Sequence, residues 1–163
     1  MSSNDNKKKT KQKKICLIAS SGGHLEQIRQ LNKISQKYDC FYVVTRTKAT
    51  EAMKQKHYIV SDLVRTNKFV EALRMSRMMI EQLVIFLKEK PDVVLTTGAA
   101  VAIPMCIIGK IFHKKVIYIE SYARMTTPNK TGLLIYKFAD LFIIQWEALK
   151  KYYPNAVYGG SIY

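Results

Sequence analysis

The chain has 163 residues, 48% of them hydrophobic, and 27 Lys and Arg against 12 Asp and Glu give a formal net charge of +15. That length suits one domain with one sizeable core. It holds no apolar run long enough to span a bilayer: the best candidate, AAVAIPMCII at residues 99–108, is too short and contains Pro104.

The first fourteen residues, MSSNDNKKKTKQKK, have no apolar stretch of their own behind the charges and are not a secretory signal, so a cytoplasmic protein is expected. They carry six Lys and one Asp, which is +5 of the +15 and leaves +10 on residues 15–163. The excess is therefore not confined to a tail, and it favours polyanions: nucleic acid, an anionic bilayer or phosphate-bearing ligands. For residues 1–14 a solvated, disordered arm and a membrane-surface contact are both open. Cys16, Cys40 and Cys106 lie at no metal-ligand or redox spacing and read as reduced, small hydrophobes.

From residue 15 the pattern alternates between strand and helix. ICLIAS (15–20) is a buried strand that runs into SSGGH and then a helix carrying Leu25, Ile28 and Leu31. Gly22 and Gly23 let a backbone approach a ligand closely, and the helix start offers unpaired N–H groups to an anion such as pyrophosphate. The turn matches neither the dinucleotide fingerprint nor the P-loop, and a plain strand-to-helix turn is the competing reading. CFYVVT (40–45) is the next strand and HYIVSDLV, around Ile59, a weaker one.

The segment 68–90 is a long helix with two apolar stripes. Phe69, Leu73, Ile80, Leu83, Val84 and Leu87 are expected to pack on the sheet. Met75, Met79 and Phe86 form a second stripe near Arg65, Lys68, Arg74 and Arg77. Both core packing and a shallow bilayer contact through Arg74, Met75, Arg77 and Met79 are open for it. DVVLTT (92–97) is a strand ending at Thr97 and Gly98, followed by a helix over 99–112 that tolerates a kink at Pro104. KVIYIES (115–121) places Glu120 at a strand end near Arg124, where an ion pair with Arg124 and a substrate hydroxyl contact are equally open. DLFIIQ (140–145) is the last strand, flanked by helical patterns at 133–138 and 146–152. Alternation of this kind defines a doubly wound, Rossmann-like α/β fold with a parallel sheet over 15–163, and its ligands bind beyond the carboxyl ends of the strands. Ser21, Gly22, Gly23, His24, Thr97, Gly98, Glu120 and Arg124 all fall there.

SGGH after the first strand, PDVVLTTG with a proline six residues beyond its glycine, YIES followed by Arg124, and ADLFIIQWEALKKYYPNAVYGGS together resemble one family. It is the bacterial capsular and exopolysaccharide relative of the acceptor-binding, membrane-recruiting subunit of the eukaryotic bipartite N-acetylglucosaminyltransferase of lipid-linked glycan assembly. The resemblance covers residues 15–163, and more distantly the chain is similar to the amino-terminal half of MurG-type transferases of the GT-B class. Relative to that distant pattern the first loop is shorter, Ala99 replaces a second glycine, and Ser121 and Tyr122 stand where the relatives have Gln and Asn.

The resemblance implies the acceptor side of an inverting transfer from a uridine-diphosphate sugar onto an undecaprenyl-pyrophosphate-linked sugar. It also implies a separate donor-binding subunit, without which the chain is inactive, and a peripheral position on the inner face of the cell membrane. Inversion needs a base at the acceptor hydroxyl, and His24, as base or as acceptor ligand, is the candidate. Gly22 and Gly23 would cradle the pyrophosphate, Ser21, Thr97, Gly98 and Arg124 would line it, and Glu120 would touch the acceptor. Aromatic residues are enriched at interfaces, so Trp146, Tyr152, Tyr153 and Tyr158 are the expected partner contact. No D-x-D pair is present to hold a metal on a nucleotide diphosphate, and no cofactor is expected. Two other classes stay open. A free-standing Rossmann enzyme would need a cofactor fingerprint that is absent, and a nucleic-acid-binding protein would need a reading helix or an exposed aromatic, basic sheet; no nucleic acid is expected.

Overall fold

The computed structural model describes residues 12–62 and 67–162. Seven strands form one sheet: β1 (Lys14–Ala19), β2 (Asp39–Thr45), β3 (His57–Val60), β4 (Val93–Thr96), β5 (Lys115–Ile119), β6 (Leu141–Ile144) and β7 (Val157–Tyr158). Their order is β3-β2-β1-β4-β5-β6-β7 and every pairing is parallel. The connecting helices are α1 (Gly23–Gln30), α2 (Asn32–Lys37), α3 (Lys48–Glu51), α4 (Lys68–Glu89), α5 (Ala102–Ile111) and α6 (Lys130–Ile135). The order reverses between β1 and β4, so the loops after these two strands diverge and open a crevice at their carboxyl ends.

Side chains alternate across the sheet and divide the core in two. Ile15, Leu17 and Ala19 of β1 join Leu25 and Ile28 of α1 on one face, while Cys16 and Ile18 join Met78 of α4 and Met105 of α5 on the other. Both faces are covered, which explains the continuous apolar strands. Cys16 and Cys106 are buried, all three cysteines are free, and burial pushes both buried thiols up.

On α4 the first stripe does not pack on the sheet as expected, and of the two alternatives open for the second, core packing is the one observed. Met75, Met78, Gln82, Ile85 and Glu89, spaced as a heptad seam, face the core with Phe86, and Met79 packs beside them. The other stripe is the outer one: Phe69 is 79% exposed, Leu73 64%, Ile80 63% and Val84 61%, with only Leu83 packed against the core. Two buried polar residues conceal the inner stripe in the sequence. Gln82 Nε2 donates to the Val101 carbonyl at 2.8 Å, and Glu89 is held by Lys14 at 3.1 Å, Lys56 at 2.7 Å and the Tyr58 hydroxyl. Burial alone would raise the Glu89 pKa; these three partners outweigh it and bring the carboxyl down to about 2.

Other expectations also shift. Pro104 sits in the first turn of α5, where its missing N–H costs no hydrogen bond and no kink is needed. α5 starts later than expected because Gly98 and Ala99 have φ of 116° and 70° and end the strand in a left-handed turn. Ala99 thus holds a conformation that favours glycine. The expected helix at 146–152 is a single 3-10 turn, Glu147–Leu149, and α2, α3 and β7 are additional to the elements the sequence pattern predicts. Arg65 lies outside the described residues.

Candidate functional site

The crevice between β1 and β4 is built around His24. Its Nδ1 lies 2.9 Å from the Thr97 carbonyl, and the Thr97 hydroxyl donates back to the His24 carbonyl at 2.9 Å. This reciprocal clamp ties α1 to the end of β4 across 73 residues. A carbonyl can only accept, so Nδ1 carries the proton in the neutral ring and Nε2 keeps its lone pair. Burial lowers the His24 pKa from its ordinary value and the Arg124 charge lowers it further, while the Thr97 carbonyl pulls the other way. The ring is therefore neutral at neutral pH and able to accept a proton at Nε2.

Beside it, Gly22 has φ 90° and begins α1 with no side-chain cap. The first intrahelical bond is Glu26 N–H to the Gly22 carbonyl at 3.1 Å, so the N–H groups ahead of it face the turn. A Cβ at Gly22 or Gly23 would meet nothing within 4 Å, so the turn is open space lined by donors. Gly98 is different: a Cβ there would lie 2.9 Å from the Tyr118 hydroxyl and 3.1 Å from His24 Cε1. Gly98 is needed for packing under His24. Ser21 ties β1 to β2, its N–H donating to Thr45 Oγ1 at 2.9 Å.

Glu120 and Arg124 depart from the sequence expectations. Glu120 is fully buried, so neither a substrate contact nor an ion pair with Arg124 describes it. Its Oε2 accepts from the Tyr153 hydroxyl at 2.7 Å and its Oε1 from the Ser121 N–H at 3.0 Å. Burial raises its pKa against those hydrogen bonds. Gly132 of α6 covers this carboxyl so closely that a Cβ would lie 2.5 Å from Oε2 and 2.6 Å from the Tyr153 oxygen. Glu120 anchors the base of the 121–129 loop and the start of α6. Asn129 completes the anchor: it caps α6 through Thr131 N–H at 2.6 Å and donates to the Tyr118 hydroxyl at 3.1 Å. The Pro-Asn pair before a helical run carries the signal that identifies this cap in the sequence. Arg124 is exposed and forms no ion pair among the described residues, so its guanidinium is available to an anion.

Of the aromatic residues expected at a partner, Tyr153 is fully buried and belongs to the core, which corrects its assignment. Tyr152 and Tyr158 are 37% and 48% exposed, and Trp146 donates its Nε1–H to the Tyr122 carbonyl at 2.7 Å. Met75 and Met79 pack against the core, so they do not form the exposed apolar face beside Arg74 and Arg77. Among the described residues no group of His, Cys, Asp and Glu is arranged to hold a metal, and no helix is long and apolar enough to cross a membrane.

The fold defines a Rossmann-like α/β chain matching the N-terminal half of MurG-type, GT-B structures. The sequence matches the family described as "Oligosaccharide biosynthesis protein Alg14 like" over residues 15–162, and the chain belongs to that family. It is 30% identical to the UDP-N-acetylglucosamine transferase subunit ALG14 of Homo sapiens, covering 91% of this chain and 82% of that protein. It is 28% identical to the Saccharomyces cerevisiae protein of the same name, covering 83% and 56%. Among solved structures it superposes on Acinetobacter baumannii MurG with a TM-score of 0.66 at 16% identity, covering 91% of this chain and 44% of that one. A UDP-N-acetylglucosamine 2-epimerase from Rickettsia bellii gives 0.68 at 16%, covering 88% and 41%. The chain thus spans less than half the length of either solved chain.

Proposed function

We propose that this chain is the acceptor-side subunit of a two-component inverting glycosyltransferase, binding a polyprenyl-pyrophosphate-linked sugar while a separate subunit binds the UDP-sugar donor. The observation that carries this reading is the neutral His24, its Nε2 without a hydrogen-bond partner among the described residues, beside an uncapped glycine turn at the switch point of the sheet. Pyrophosphate occupies the turn, held by the N–H groups after Gly22 and by Arg124. His24 Nε2 takes the proton of the acceptor hydroxyl as that oxygen attacks the anomeric carbon of the donor sugar, while the bond from that carbon to the β-phosphate oxygen breaks on the opposite face and UDP leaves with the electron pair. The motif resemblance supports a finer reading: an undecaprenyl carrier in capsular or exopolysaccharide synthesis. Tyr152, Tyr158 and Trp146 are the partner contact in this account.

The bilayer contact is the outer face of α4, where Phe69, Leu73, Ile80, Val84 and Leu87 are exposed. Arg74 and Arg77 flank it, and the charge excess supports an anionic surface.

Titration of the isolated chain with farnesyl pyrophosphate and with UDP-N-acetylglucosamine tests the division of labour. The first should bind, with an affinity reduced about tenfold by Arg124→Ala through loss of one charge-assisted contact. The second should bind far more weakly. Comparable affinity for both, or a preference for the nucleotide sugar, would contradict the acceptor-side assignment.

A further inference from the structure

A cavity of about 300 Å³ opens at the same sheet edge, one helical turn from His24, lined by Gln27, Gln30, Tyr122 and Ser161. Its walls come from three separate parts of the chain: α1, the loop after β5, and the segment after β7. That last segment is fixed at the edge by Gln145, which donates to the Glu120 carbonyl at 2.9 Å and accepts from the Ile162 N–H at 3.2 Å. Two carboxamides, a hydroxyl and an aromatic ring line the cavity. No ionised side chain does, unlike the lysine-rich cavity at the opposite edge of the sheet. A lining of this kind suits a neutral, polyhydroxylated ligand and carries no positive charge to balance an anion.

A second observation comes from Gln27 itself. Its Nε2 reaches Ser121 Oγ only at 3.4 Å, and its Oε1 is buried with no hydrogen-bond partner. Exchanging the amide oxygen and nitrogen leaves one of the two unpartnered either way. An unpaired buried amide atom is costly in a folded protein, and a ligand hydroxyl or N–H can supply what the chain does not. Gln27 lies three residues after His24, so the two side chains share a face of α1. Tyr122 presents its ring at the cavity wall, 5.0 Å from the Trp146 ring, while its carbonyl is held by Trp146 Nε1.

We infer that Gln27, Gln30, Tyr122 and Ser161 form the subsite for the sugar ring of the acceptor, with the Gln27 carboxamide bonding a ring substituent and Tyr122 flanking an apolar face of the ring. The inference rests on the acceptor-side reading and extends it from the pyrophosphate to the saccharide. The unpartnered oxygen has less than 1 Å² of free surface, so the sugar reaches it once a side chain of the cavity wall moves aside.

The test compares farnesyl-pyrophosphate-linked N-acetylglucosamine with farnesyl pyrophosphate on the full chain. The sugar should strengthen binding. Gln27→Leu and Tyr122→Ala should each weaken the sugar-bearing probe about tenfold and leave the sugar-free probe unchanged. Gln27→Leu should also melt at or above the wild-type temperature, because it removes an unpaired polar atom, and a merely structural glutamine would give the reverse. Equal weakening of both probes, or no weakening of either, overturns the sugar subsite while the pyrophosphate site stands. Failure of both probes to bind the wild-type chain overturns the acceptor reading and the subsite with it.

Discussion

His24→Ala, assayed in the presence of the donor-binding subunit, should lower transfer by about two to four orders of magnitude, the range a general base contributes. Folding should be nearly unchanged, since the lost clamp is one hydrogen bond from a partly exposed ring and the Thr97 hydroxyl still bonds the main-chain carbonyl of residue 24. The pH profile gives an independent check. With the histidine pKa held below its ordinary value, the base remains deprotonated through neutrality, and the acid limb of kcat/KM should fall below the pH at which free imidazole titrates. The same shift has a consequence for stability. A histidine kept neutral by the fold contributes fully above its unfolded pKa, and that contribution is lost as pH falls toward the lower folded value. Near-wild-type turnover in His24→Ala would remove the residue from the chemistry, and a loss confined to acceptor KM would make it a binding group.

The second large effect is expected on the outer face of α4. Ile80→Glu combined with Val84→Glu should reduce sedimentation with vesicles containing anionic lipid by about a hundredfold. Each apolar side chain inserted at the interface is worth roughly 1.5 kcal/mol, or about tenfold. Both residues are well exposed, so thermal stability should stay near wild type. Met75→Glu with Met79→Glu is the contrasting pair: it should destabilise the fold, because those side chains pack against the core. Raised salt should weaken binding through the lysines and arginines. Vesicle binding that survives the Ile80 and Val84 changes, or ignores lipid charge and salt, would place the membrane contact elsewhere.

Much of this was legible in the sequence because parallel strands buried on both faces are written as unbroken apolar runs. β1, β2, β4, β5 and β6 stand out for that reason, and their alternation with helices gives the fold class and the edge where ligands bind. β7 has two residues, both exposed, and α2 and α3 are too short to show a period. α4 misleads because Gln82 and Glu89 interrupt the stripe that faces the core, while the outward face carries Phe69, Leu73, Ile80, Val84 and Leu87 at helical spacing. His24 and the glycine turn were visible as a local motif. The Thr97 carbonyl that fixes its tautomer was not, since that contact exists only once β1 and β4 are neighbours. The burial of Glu120 is hidden in the sequence for a similar reason: what covers it, Gly132 and Tyr153, lies 12 and 33 residues further along.

The measurement that bears most directly on the account is transfer of labelled N-acetylglucosamine from its UDP donor to a polyprenyl-pyrophosphate-linked sugar. It compares the isolated chain, the isolated donor-binding subunit and the co-purified pair. The account predicts no transfer by either chain alone, and transfer by the pair that is abolished by His24→Ala in this chain. Full activity from the isolated chain, or a pair whose activity is indifferent to His24, would contradict it.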